Sequence, residues 1–153
     1  MKHTYLFTLE LVPLIVGHVY DELPSHLTLM SRFTSTMSPG TMATAVGSLF
    51  IGADPITLSF GKTIELGPKK VIAHMVTSAG EQGLHRSLLQ LLDGLDVIYQ
   101  YPDFIGENHK PHVSKREGSH FKVGSKRKVF AAYLIEIVDK KRIIRSRFEL
   151  GTT

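Results

Sequence analysis

Two short stretches carry the side chains with which this chain could do chemistry: His26-Leu27-Thr28-Leu29, and His112-Val113-Ser114 after Pro111. Each is an imidazole, an apolar residue, then a hydroxyl. In an extended strand, residues i and i+2 project from the same face, about 6.5–7 Å apart. The imidazole and hydroxyl then point together, while Leu27 or Val113 turns back into a core. Two such strands facing each other would surround one cleft with His26, Thr28, His112 and Ser114. That set forms a cage for a phosphodiester: one imidazole takes a proton, the other gives one, and the hydroxyls hold phosphoryl oxygens.

The spacing alone is only moderately specific. Three His-x-Ser/Thr triplets occur among the eight histidines. The third, His85-Arg86-Ser87, has a charged middle residue and lies in a stretch with helical periodicity, where i and i+2 diverge. Requiring an apolar middle residue removes it and leaves two, against about half of one expected by chance.

Paired motifs of this type, one in each half of a small α+β chain, resemble the two-histidine (2H) phosphoesterase superfamily, whose best-known branch is the 2′-5′ RNA ligase-like proteins and cyclic phosphodiesterases. The likeness runs through nearly the whole chain in element order, and the two tetrads are its specific part. Ser114 stands where Thr is commoner, Lys115 where an apolar residue is usual, and Pro24 lies one residue further from His26 than Pro111 does from His112. The resemblance implies a single domain over residues 1–153, built of two pseudo-symmetric lobes. Each lobe would be an antiparallel sheet with a helix on its outer face, and the sheets would face each other across a groove. It also implies a metal-independent phosphodiesterase acting on 2′,3′-cyclic phosphates, 2′-5′ linkages or small cyclic or oligomeric nucleotides, with reversible ligation as a related activity. No cofactor is expected. The competing class is a non-catalytic RNA- or nucleotide-binding module that keeps the same groove.

Composition sets wider bounds. A length of 153 residues with 42% apolar and 21% charged residues fits one soluble domain, or two small lobes sharing a core. With no Cys, disulfides and thiolate metal sites are excluded. The formal charge of +4 suits a polyanionic partner such as RNA or a nucleotide. The apolar run at Tyr5–Val16 is broken by Glu10 and Pro13 and reads as a strand rather than a leader. A cytoplasmic monomer without membrane association is the expectation. P-loop, dinucleotide-binding, serine-hydrolase and His-Glu-x-x-His signatures are all missing, so those chemistries have no support.

The elements that must position the tetrads follow from periodicity. Strands are expected at Thr4–Val12, Ser25–Phe33, Ile56–Leu66 with a turn near Gly61, Val71–Thr77, Val97–Tyr101, Val129–Val138 and Arg142–Leu150. Ser38 caps a first helix that has Pro39 at its first position and ends at Gly52. Ser78-Ala79-Gly80-Glu81 reads as a capping box, with the Glu81 carboxylate reaching back to a backbone amide. The second helix then carries a stripe of Leu84, Leu88, Leu91, Leu92 and Leu95, with His85 outside it.

Other residues are weaker candidates. Arg116 follows Ser114 by two and could clamp a phosphate. Tyr20 and Phe121 flank the motifs and could stack a base, although packing is the commoner role for each. The basic stretch Lys122–Lys128 could track an RNA backbone or simply be a solvated charge run. His109, His112 and His120 fit no strong zinc spacing, so no metal site is expected. His74 alternates with Ile72 and Val76 and reads as a core or edge histidine.

Overall fold

The structure is a computed structural model and describes residues 1–114 and 121–151. Its strands are β1 (His3–Glu10), β2 (Val19–Tyr20), β3 (His26–Ser35), β4 (Ile56–Leu66), β5 (Val71–Thr77), β6 (Ile98–Tyr99), β7 (His112–Ser114), β8 (Lys126–Val129), β9 (Ala131–Val138) and β10 (Lys141–Glu149). Its α-helices are α1 (Pro39–Ile51) and α2 (Ala79–Asp93). They form two antiparallel sheets, one in the order β2-β10-β9-β1-β3-β6 and the other β7-β5-β4-β8. The first motif opens β3 in the six-stranded sheet. The second is β7, an edge strand of the four-stranded sheet.

The lobes are not simply the two halves of the chain. β9 and β10, at the C-terminal end, join the sheet of β1 and β3, whereas β4, β5, β7 and β8 from the middle build the other. One core spans both sheets and both helices, with Phe7, Leu27, Leu58, Val113, Phe50 and Leu88 among its members. Side-chain alternation along β1 sends Phe7 into this core and Leu6 to the opposite face. There Leu6 meets Leu14, Leu23, Tyr133, Ile135 and Ile144 in a smaller cluster. α1 packs on β9 and β10, and α2 packs on β3 and β4. Across the seam between the sheets, β3 approaches β7.

Local signals set most element ends. Ser38 Oγ accepts from the Thr41 amide, and Ser78 Oγ accepts from the Glu81 amide. Gly61 is not a turn. β4 runs through it with a register shift between Phe60 and Thr63, and a side chain there would press on the Met75 carbonyl, 3.3 Å from an added Cβ. Two strands emerge beyond those expected: β2, which pairs with β10, and β8, which takes up the end of the basic stretch. β6 shrinks to two residues, and two 3-10 turns (Pro102–Phe104 and Gly106–Asn108) fill the segment after it. Among the described residues, no helix is long and apolar enough to cross a membrane.

Candidate active site

Both motifs adopt the alternation their sequences require. Leu27 and Val113 are fully buried in the common core, whereas His26, Thr28, His112 and Ser114 are half-buried on the other face. The two imidazoles are anchored alike. His26 Nδ1–H donates to the Pro24 carbonyl at 2.8 Å, and His112 Nδ1–H donates to the Lys110 carbonyl at 2.9 Å. A carbonyl only accepts, so each Nδ1 carries a hydrogen and the proton-exchanging atom of each ring is Nε2. In both motifs the acceptor is the carbonyl two residues upstream. The offset between Pro24 and Pro111 in sequence therefore makes no difference to the anchor.

Two adjoining cavities open on these residues. One, of about 640 Å³, is lined by His112 and Ser114 together with Leu66, Val71, Phe104 and His109. The other, of about 410 Å³, is lined by His26 together with Arg32, Tyr101 and Arg142, and with the carboxylates of Asp21 and Glu22. Thr28 and Ser31 line both. A bulge explains Ser31. β1 pairs Phe7 with Met30 and Thr8 with Thr28, so Leu29 is the extra residue. Leu29 and Met30 are then both buried, and the groove face resumes at Ser31. Among the described residues, the hydroxyls of Ser31 and of Thr8, the cross-strand neighbour of Thr28, are buried without a hydrogen-bond partner. Across from His26 on β1 stands Glu10, which accepts from the Tyr133 hydroxyl and from Arg147 Nε at 3.1 Å.

The weaker candidates fall elsewhere. Tyr20 lies in β2, packed against the smaller apolar cluster and edge-on to His18. Phe121 stacks on Phe60 with centroids 4.3 Å apart and meets His74 edge-on, which places it against the main core. Neither lines the two cavities. Arg116 and His120 lie outside the described residues. β8 is the edge of its sheet opposite β7, three strand spacings or roughly 14 Å away. Its Arg127 is committed to the Leu11 carbonyl.

Sequence reading passed over several residues at the groove. Arg32, Arg142, Tyr101 and Phe104 lie far from the tetrads in sequence or beyond the bulge, so no spacing argument reaches them. Phe104 is 65% exposed at the wall of the larger cavity. His85, expected outside the leucine stripe, is fully buried. Both ring nitrogens find backbone partners: Nδ1–H donates to the Leu29 carbonyl at 2.7 Å, and Nε2 accepts from the Gly106 amide at 2.9 Å. Its pKa is pushed down to about 4, chiefly by burial and further by the neighbouring His109 and Arg86, against the raising effect of the Leu29 bond. The Glu81 carboxylate does not complete a capping box. It accepts from His109 Nε2–H at 2.7 and 2.9 Å, and a short side chain cannot serve both ends.

The chain as a whole matches solved structures along nearly its full length. A protein solved as a phosphoesterase superposes with a TM-score of 0.65 at 13% identity, covering 99% of each chain. E. coli LigT complexed with 3'-AMP gives 0.62 at 12% identity over 99% of each chain. TT0787 of Thermus thermophilus gives 0.59 at 17% identity, covering 98% of this chain and all of that one. The chain shares the fold of these proteins. No family model and no curated protein matches the chain by sequence. The agreement is one of architecture, at 12–17% sequence identity to these neighbours.

Proposed function

We propose that the groove between the sheets is the active site of a phosphoesterase that cleaves RNA-like phosphodiesters with His26 and His112 as its acid and base. The observation that carries this reading is the shared anchor. Two histidines at the heads of two approaching strands each bind a carbonyl two residues upstream through Nδ1–H. Each presents Nε2 as its working atom and has a hydroxyl two residues on. The fold it shares with a phosphoesterase and with LigT, which was solved with 3'-AMP and with phosphate, supports the same chemistry.

For a 2′,3′-cyclic phosphate, the neutral imidazole takes a proton from water as the water oxygen bonds to phosphorus. The bond from phosphorus to one ribose oxygen breaks, and the protonated imidazole gives its Nε2 proton to that oxygen. Thr28 and Ser114 donate to the phosphoryl oxygens as negative charge builds on them. In ligation a ribose 5′-hydroxyl takes the place of water in the same steps, and cleavage of the new linkage back to the cyclic phosphate runs them in reverse, with the roles of the two rings exchanged. Arg116, two residues after Ser114, is retained as a candidate phosphate clamp.

The test is a turnover panel of 2′,3′-cyclic mononucleotides, 2′-5′ oligoadenylate and cyclic dinucleotides, run with and without EDTA. The proposal predicts turnover of at least one class, unchanged by the chelator. Binding without turnover would leave a nucleotide-binding module. Activity lost to EDTA and restored by zinc or manganese would replace the two-histidine mechanism with a metal-dependent one.

A further inference from the structure

The segment between β6 and β7 forms a wall of the larger cavity through Asp103, Phe104, Asn108, His109 and Lys110. It is pinned to one face of α2. The Glu81 carboxylate, fully buried, holds His109 Nε2–H, and the Gln82 amide reaches the His109 carbonyl at 3.4 Å. The rings of His85 and His109 lie face to face, with centroids 3.8 Å apart and planes 6° from parallel. His85 Nε2 accepts the amide hydrogen of Gly106, whose φ of +68° suits a residue without a side chain. On its other edge, His85 Nδ1–H holds the carbonyl of Leu29, the residue after Thr28.

These contacts form a continuous path between the two motifs. It runs from Thr28 through Leu29 to His85, then by ring stacking to His109, and along the backbone to Lys110, whose carbonyl anchors His112. A leucine or phenylalanine would fill the same volume in a helix core. The imidazole adds one donor and one acceptor on opposite edges, and it spends them on the two arms that carry the motifs. A protonated ring could not accept from Gly106, so this bridge exists only in the neutral form, which burial favours.

We propose that neutral His85 is a positioning residue which sets the spacing of the two motif strands, and through it the spacing of the His26 and His112 imidazoles. The inference rests on the phosphoesterase reading for its kinetic consequence and on the contacts alone for its geometric one.

The experiment compares the full-length wild-type chain with His85→Phe, His85→Gln and Glu81→Gln. The readouts are kcat and KM on 2′,3′-cyclic AMP and the imidazole nitrogen and carbon NMR signals of His26 and His112. His85→Phe keeps a buried ring but loses both hydrogen bonds. It is expected to lower kcat by about 10–100-fold with KM nearly unchanged, because small misplacements of reacting groups carry costs of that order. The His112 imidazole signals should move with it. His85→Gln, whose amide restores a donor and an acceptor, should recover most of the rate. If the phenylalanine variant does not fold, Glu81→Gln loosens the same arm while keeping its shape and should show the same split. Wild-type kcat and unshifted imidazole signals in the folded variants would overturn the inference. A wild type inactive on every class of the substrate panel would refute the phosphoesterase reading instead, and the NMR comparison would still decide whether His85 governs the geometry.

Discussion

At the scale of single residues, the groove is made by a few side chains whose roles follow from what they touch. His85 makes this quantitative. Its pKa lies near 4 in the fold and near 6.5 when exposed, so between those values the unfolded chain binds the extra proton. Stability from this group is therefore complete above pH 6.5 and lost progressively as pH falls towards 4. Urea unfolding of wild type and His85→Gln across that range is expected to show the wild type losing ground to the variant as the solution becomes more acid. A constant difference would mean that His85 is not the titrating group. The tetrads were legible at this scale because parity in a strand is a local rule. The partners of His85 and Glu81 were not, because they come from segments 21 to 56 residues away. A histidine beside a leucine stripe gives no sign of the backbone groups waiting for it.

At the scale of elements, the middle residues of the two motifs are fixed in one core. Leu27 has no exposed surface and belongs to the core that both sheets and both helices share. Leu27→Ala is expected to destabilise the chain by about 2–5 kcal/mol, the usual range for a buried leucine that leaves a cavity. Per folded molecule, turnover should stay close to wild type, because the imidazole anchor is made by backbone. Denaturant titration beside a rate normalised to folded protein separates the two effects. Both helices and the strands from Ile56 to Leu66 and Val71 to Thr77 were readable, since caps and periodicity are written locally. The bulge in β3 was written too, in the adjacent apolar pair Leu29-Met30 that breaks alternation. It is visible only once β1 supplies the register. β2 and β8 could not be read, because each is held by a distant partner rather than by its own pattern.

At the scale of the molecule, the interlocking of the sheets places the site at a seam. Because β9 pairs with β1, the ends of the chain close the sheet that holds His26, while the middle of the chain carries His112. A single sequence contains the strands but not which distant strands pair, so two lobes could be anticipated but not their composition. Neither sheet alone carries both imidazoles, so the proposed mechanism needs the two sheets together. The most direct measurement is the pH–rate profile of 2′,3′-cyclic AMP hydrolysis for wild type, His26→Ala, His112→Ala and the double variant. Needing one neutral and one charged ring, wild type should give a bell with both limbs in the histidine range. Each single variant should lose at least about 10²-fold, and the double variant little more, because the pair acts as a unit. Wild-type rates in either single variant, or losses that multiply in the double, would contradict a shared two-histidine site.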